Sequence, residues 1–134
     1  LEADEMLPAP GQGALAVEAR ASVELDDPDL HKALSRLDDF STHAAVDAER
    51  AVLNALQAGC TAPVGALATV TPDTTKTNEE SEIHLQAMAA SVDGSQVIRM
   101  SITGAVGNAE ELGRELASQL LAAGAAGLLG EPAQ

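Results

Sequence analysis

Apolar residues recur every three or four positions in three stretches of the chain, which predicts three helices. The first is expected to begin with Asp27 as N-cap and Pro28 at the first helical position, with its apolar residues between Leu30 and Leu37. The second is expected to begin at Ser41 or Thr42, since either side chain can cap a helix. The apolar stripe of this second helix comprises Ala45, Ala48, Val52, Ala55 and Leu56.

The second helix is predicted to end at Gly59, because glycine adopts the left-handed conformation of the C′ position without strain. Cys60 then follows the helix C-terminus directly. The negative end of the helix dipole disfavours a thiolate at such a position. This placement argues against a highly reactive redox thiol.

The third helix is predicted to follow Asn108, which forms a capping-box pattern with Glu111. Its leucines recur at four-residue spacing, so they share one face. Glu110 can pair with Arg114 one turn later, and Gly124 is placed to end the helix.

Between the second and third helices, the pattern of apolar and polar residues changes to the alternation typical of strands. Strands are predicted at residues 65–71, 82–90 and 96–103, with Asp93 and Gly94 in the turn of a hairpin. The polar stretch 72–81 has no periodicity and is interpreted as a mobile loop.

The beginning of the chain is less regular. Prolines and glycines within residues 7–13 indicate a loop, and residues 14–20 are expected to form a short strand. The order helix, three strands, helix from residue 42 onward predicts an α+β fold. We expect a small three-stranded antiparallel sheet covered on one face by helices, preceded by a partial segment of an α/β domain.

Composition and charge narrow the possible functions. Alanine supplies 27 residues and Phe40 is the only aromatic residue, so the core is expected to be thin. The formal charge of −14 disfavours binding to nucleic acid or to anionic membranes, and no apolar run approaches the roughly 20 residues of a membrane span. A single cysteine excludes an internal disulfide and fits a reducing cytoplasm.

The sequence shows none of the common arrangements of catalytic residues. His31, His43 and His84 lack the spacing of zinc ligands, and Gly11-Gln12-Gly13 lacks the third glycine of a dinucleotide fingerprint. Two alternative hypotheses therefore stay open: a small regulatory or ligand-binding α+β module with an incidental cysteine, and a thiol-redox protein. The second lacks a partner cysteine.

Two separate segments resemble one family. Residues 7–20, which contain Gly11-Gln12-Gly13-Ala14, resemble the Gly-Gln-Gly-Ala stretch of porphobilinogen deaminase, also called hydroxymethylbilane synthase. Residues 48–53 and 59–65 resemble the helix and cofactor-cysteine loop of the same family. One departure is Ala58, which stands where family members commonly have the first of two glycines.

The resemblance implies a division of the chain and a chemical role. Residues 1–41 would be the C-terminal remnant of the central domain, and residues 42–134 the cofactor-attachment domain. Cys60, preceded by Gly59, would hold a dipyrromethane cofactor through a thioether, while Gln12 would donate hydrogen bonds in the tetrapyrrole cleft. The cytoplasmic full-length enzyme would join four porphobilinogen molecules into hydroxymethylbilane and release ammonia.

The partners implied by the resemblance are porphobilinogen, the growing polypyrrole chain and the missing N-terminal domains. The family's catalytic aspartate and most of its substrate-binding arginines belong to those domains and have no counterpart in this sequence. Because the substrate is a polyanion and the chain carries a charge of −14, we expect this polypeptide alone to be inactive.

Overall fold

The computed structural model describes residues 2, 3, 5–58, 62–73, 75 and 77–129. The helices are α1 (Val23–Asp26), α2 (Pro28–Leu34), α3 (Phe40–Ala55), α4 (Ala109–Ala122) and α5 (Ala125–Leu129). The strands are β1 (Val64–Thr71), β2 (Glu82–Ala90) and β3 (Val97–Ala105), and two 3₁₀ turns span Asn78–Glu80 and Val106–Asn108.

The three strands form one antiparallel sheet in the order β1-β2-β3. Ala66 of β1 lies opposite Ala87 of β2, and Leu85 of β2 lies opposite Ile102 of β3. The predicted α+β fold and its three strands are therefore confirmed. β3 extends two residues further than predicted, and Gly94 adopts a φ of 72° in the β2–β3 turn.

The core lies between one face of the sheet and the two long helices. Helix α3 packs against β1, and α4 packs against β3. The largest fully buried side chains are Val52 of α3, Ile83 and Leu85 of β2, and Leu116 and Leu120 of α4. Alanines fill much of the remaining core, which allows the helices and the sheet to approach closely.

Helix α3 begins earlier than predicted. Asp39 is its N-cap, in an extended conformation, and its carboxylate accepts a hydrogen bond of 2.8 Å from the Thr42 amide. The prediction of Ser41 or Thr42 as N-cap was wrong, because Asp39, which caps a helix as well as serine does, lies just before them. The same hydrogen bond lowers the pKa of Asp39.

The C-terminus of α3 also differs from the prediction. Gln57, not Gly59, occupies the left-handed C′ position, with a φ of 51°. The Gln57 amide donates to the Asn54 carbonyl, and the Ala58 amide donates to Leu53 at 3.3 Å. These two bonds form a Schellman motif, which ends the helix before Gly59 is reached.

Helix α4 follows Asn108 as predicted, but its capping box does not form. Asn108 closes a 3₁₀ turn with φ −107° and ψ 21°, and its side chain makes no capping hydrogen bond. The Glu110–Arg114 pair is confirmed at 3.0 Å, and Gly124 ends the helix with a φ of 103°.

The N-terminal part contains helices α1 and α2 but no strand among its described residues. Asp27 caps α2 through a hydrogen bond of 3.0 Å to the Leu30 amide, as predicted. The strand predicted at residues 14–20 is wrong: this segment is irregular, and Leu15 is 96% exposed. A lone strand has no ladder partner to stabilise it. The assignment of residues 1–41 to a preceding domain stays a prediction.

Gly113 determines how closely α4 approaches α3. A Cβ at Gly113 would lie 2.4 Å from the Ala48 carbonyl oxygen and 2.6 Å from Ala51 Cβ. Gly113→Ala should therefore push the helices apart and lower the free energy of unfolding by about 1–3 kcal/mol. Urea unfolding followed by far-UV circular dichroism measures this change.

Gly127→Ala is the matched control, because nothing lies within 4 Å of a Cβ at that helical glycine. It should leave the free energy of unfolding unchanged or raise it by up to about 1 kcal/mol. Equal stability of the two variants would show that the α3–α4 contact does not require a glycine.

Candidate functional site

The predicted attachment residues Gly59 and Cys60 lie outside the described part of the chain, together with Thr61. The residues on both sides of this segment are fixed. Ala58 belongs to the Schellman motif that ends α3, and the Pro63 carbonyl accepts a hydrogen bond of 2.9 Å from the Ala90 amide of β2. The cysteine segment therefore joins two anchored points, the end of α3 and the start of β1.

Gln12 lies in a tight turn between two glycines. The Gln12 amide donates to the Ala9 carbonyl at 3.0 Å, and Gln12 Oε1 accepts from the Ala9 amide at 3.2 Å. Gly11 and Gly13 have φ values of 76° and 90°, which favour glycine. Within the described residues, the side-chain nitrogen of Gln12 donates no hydrogen bond, so it is available to an incoming acceptor.

The segment before this turn lies against strand β1. Leu7 is buried, with 4% of its surface exposed, and the Pro8 carbonyl accepts a hydrogen bond of 3.0 Å from the Ala66 amide. Gly65 permits this contact, because a Cβ there would lie 2.9 Å from Leu7 Cβ and from the Leu7 carbonyl oxygen. The approach of the two backbones thus depends on glycine at residue 65.

The carboxylate of Glu49 connects the same turn to both α3 and β1. Glu49 is on α3 and is only 5% exposed. Its Oε2 accepts from the Gly11 amide at 2.6 Å, and its Oε1 accepts from the Ala68 amide at 2.8 Å. One buried side chain therefore holds together residues from three parts of the chain.

These contacts also cover the edge of the sheet. Strand β1 pairs with β2 on one side only. Ala66 and Ala68 are two residues apart, so their amides point to the same side of the strand. The Pro8 carbonyl and the Glu49 carboxylate accept these two amides, which would otherwise be unpaired at an open edge.

Burial raises the pKa of Glu49 above its ordinary value, because it removes water from the ionised carboxylate. The hydrogen bonds from the Ala68 and Gly11 amides act in the opposite direction and reduce this shift. The fold therefore removes water from the Glu49 carboxylate, and the two backbone N–H donors compensate for part of that unfavourable desolvation.

Sequence reasoning missed Glu49, although it lies in the family-like segment 48–53. A signal was present. Glu49 falls four residues after Ala45 and three before Val52, on the apolar stripe of α3, where a charged residue is unusual. A carboxylate on a buried helix face needs hydrogen-bond donors, and such donors are what the structure supplies.

Of the histidines, His43 lines a cleft together with Gly11, Gly13 and Arg50. His43 lies at the other end of α3, where its Nδ1 is 2.9 Å from Asp38 and its Nε2 is 3.5 Å from Asp47. The hydrogen bond that His43 donates to the Asp38 carboxylate, followed by the charges of Asp47 and Asp38, raises the pKa of His43. His84 lies on β2 and bonds to Thr103.

The described residues include no group of three or more His, Cys, Asp or Glu side chains placed to hold a metal ion. None of their helices is long and apolar enough to cross a membrane.

A cleft of about 580 Å³ lies between the glycine turn and α3. Gly11, Gly13 and Arg50 contribute to its lining. Acidic side chains also line it, namely Asp38, Asp39 and Asp47. Three carboxylates thus outnumber the two basic side chains of the lining, Arg50 and His43, and the cleft within this chain is a poor site for a polyanion.

Fold and site together define a small α+β domain in which a glycine turn is fixed to the open edge of the sheet. A sequence profile of the C-terminal domain of porphobilinogen deaminase matches residues 43–122. The chain belongs to the porphobilinogen deaminase family.

Individual relatives agree with the profile. The chain is 53% identical to a porphobilinogen deaminase of Nocardia farcinica over 99% of its own length and 38% of the relative's. It is 50% identical to porphobilinogen deaminase 1 of Streptomyces avermitilis, with coverage of 98% and 40%. With a porphobilinogen deaminase of Mycobacterium tuberculosis the identity is 48%, with coverage of 96% and 41%. The chain spans about two-fifths of the length of these curated relatives.

Gly65→Ala tests the contact between residues 7–8 and β1. The added methyl group meets the Leu7 backbone, so this segment must move away from the Ala66 amide. We expect the free energy of unfolding to fall by about 1–3 kcal/mol and the Ala66 amide to exchange faster with deuterium. Urea unfolding and NMR-detected hydrogen exchange measure the two effects.

Gly107→Ala serves as the control for Gly65→Ala, since its Cβ would make an ordinary contact of 3.5 Å with Glu79. It should leave Ala66 exchange unchanged. Unchanged stability and Ala66 exchange in Gly65→Ala would rule out the close contact.

The raised pKa of Glu49 predicts a specific dependence of stability on pH. The folded protein binds this proton more tightly than the unfolded chain, so the contribution of Glu49 to stability is greatest below the ordinary pKa of 4.5. That contribution should decrease as pH rises through the folded-state pKa. We therefore expect the free energy of unfolding of the wild type, relative to Glu49→Gln, to decrease from pH 4 to pH 7.

Urea unfolding of both proteins at each pH measures this difference. The contributions of the other titrating groups are the same in both proteins and therefore cancel. A difference that increases with pH would mean that the two backbone hydrogen bonds outweigh desolvation.

Proposed function

We propose that this chain is the cofactor-attachment portion of a porphobilinogen deaminase. The full-length enzyme joins four porphobilinogen molecules with loss of ammonia, and water then releases the linear tetrapyrrole hydroxymethylbilane and supplies its hydroxyl group. The observation that carries the proposal is the family match over residues 43–122, which includes Cys60. Family membership also favours this function over the regulatory module and the thiol-redox protein considered from the sequence.

We assign the covalent attachment of dipyrromethane to Cys60, through a thioether at its sulfur. When bound, dipyrromethane supplies the terminal pyrrole carbon to which further units are added. The anchored residues on both sides of the cysteine segment support a tether of defined position. A permanent thioether requires access and placement rather than a low thiol pKa, which is consistent with a cysteine that follows the C-terminus of α3.

Gln12 is proposed to hydrogen-bond the bound pyrrole chain. Two features support this role: hydrogen bonds from the Gln12 and Gly11 amides hold the turn in place, and the side-chain nitrogen of Gln12 is available as a donor. Porphobilinogen carries acetate and propionate groups, and their oxygens are suitable acceptors for an amide N–H.

The remainder of the enzyme is proposed to supply the catalytic acid–base group and most of the substrate-binding cations. The charge of −14 and the acidic lining around Arg50 support this division. We therefore propose that the 134-residue chain alone neither assembles the cofactor nor turns over porphobilinogen, and that the full-length enzyme acts in the cytoplasm.

Cys60→Ser in the full-length enzyme tests the attachment. A serine hydroxyl is a far weaker nucleophile than a thiol, so the variant should carry no dipyrromethane. We expect the loss of one dipyrromethane mass from the intact protein, no colour with Ehrlich's reagent, and no detectable deaminase activity. Mass spectrometry and a porphobilinogen-consumption assay measure these outcomes.

Ser101→Cys added to Cys60→Ser is the matched control, because it restores one thiol at an exposed residue of β3. It should remain without cofactor. A wild-type enzyme without a pyrrole adduct, or a Cys60→Ser variant that keeps its adduct and activity, would contradict the proposal.

A further inference from the structure

We infer that Glu49 is a positioning residue for the turn that contains Gln12. Its carboxylate fixes Gly11 to α3 and to the edge of β1, and so holds Gln12 at a set place relative to the two elements that flank residues 59–61. The inference rests on the proposed function, because that function gives the Gln12 turn its role in catalysis.

The geometry makes Glu49 a direct bridge between the turn and the sheet. The Gly11 amide is 2.6 Å from Oε2, and the Ala68 amide is 2.8 Å from Oε1. Each oxygen therefore accepts from a different segment. With 5% of Glu49 exposed, water cannot readily replace either bond.

Glutamate has the acceptors that this position requires. A carboxylate presents two acceptor oxygens, whereas the glutamine amide presents one oxygen and one NH₂ donor. In Glu49→Gln, either Gly11 or Ala68 must therefore face a donor. Aspartate keeps both oxygens but is one methylene shorter, so it cannot reach both amides from the same helix position.

The position of Glu49 on α3 connects the turn to the two elements that flank the cysteine segment. Glu49 lies six residues before the helix ends at Ala55, a rise of about 9 Å along the axis. Ala68 belongs to β1, which begins at Val64 just after the cysteine segment. The two elements that flank residues 59–61 are therefore the same two that Glu49 ties to the Gln12 turn.

A positioning role predicts different effects on attachment and on elongation. Cofactor attachment occurs once and depends on the thiol, whereas each added pyrrole unit must meet a correctly placed Gln12 turn. We expect full-length Glu49→Gln to retain one dipyrromethane per chain while its kcat falls about tenfold, the effect of losing one hydrogen bond to a charged group. Mass spectrometry measures how much dipyrromethane is bound per chain, and steady-state kinetics give kcat and KM.

Hydrogen exchange on the 134-residue chain reports the same bond independently of catalysis. In Glu49→Gln, the Gly11 amide should exchange at least about tenfold faster than in the wild type. Glu111→Gln is the matched control, since it makes the same change at an exposed residue of α4. It should leave both Gly11 exchange and kcat unchanged.

Three results would contradict the inference. One is unchanged Gly11 exchange in Glu49→Gln, and another is an unchanged kcat per loaded enzyme. If Glu49→Gln fails to fold, hydrogen exchange of the wild-type chain still tests the inference. In the wild type, the Gly11 amide must exchange at least about tenfold more slowly than the Gly13 amide. Equal exchange of these two glycines is the third contradicting result.

Failure of the proposed function gives a different pattern. A wild-type enzyme with neither pyrrole adduct nor porphobilinogen turnover would remove that function. In that case the exchange of Gly11 would still report whether Glu49 holds the turn.

Discussion

A single buried carboxylate connects three separate parts of this chain. Glu49 accepts amide hydrogens from Gly11 and Ala68, and thereby joins an N-terminal turn to a helix and to the open edge of a sheet. Burial of a charge is unfavourable, so this arrangement is stable only because both oxygens have backbone donors. Gly65 allows residues 7–8 to lie against β1, and Gly113 allows α4 to lie against α3.

Much of the fold was predictable from the sequence because alternation along the strands is a strong signal. Ile83 and Leu85 on β2 show it clearly, and both are fully buried. Helix ends were less predictable. The N-cap of α3 is Asp39 rather than Ser41 or Thr42, and its C′ residue is Gln57 rather than Gly59. Several neighbouring residues can cap the same helix end, so the sequence does not determine which one does.

The candidate site was predictable only in part. Resemblance to the family indicated Cys60 and Gln12, but hydrophobic periodicity treats a charged residue as exposed and so overlooked Glu49. The strand expected at residues 14–20 failed for another reason: a strand depends on a neighbour, and no local pattern contains that information. Tertiary hydrogen bonds and pairing partners are thus the properties that local sequence reasoning missed.

An NMR pH titration of the 134-residue chain tests the central role of Glu49 most directly. The side-chain carboxyl carbon of Glu49 and the amide protons of Gly11 and Ala68 should all titrate with one common midpoint, above the ordinary glutamate pKa of 4.5. Amide protons that titrate independently of Glu49, or that do not titrate at all, would contradict the account.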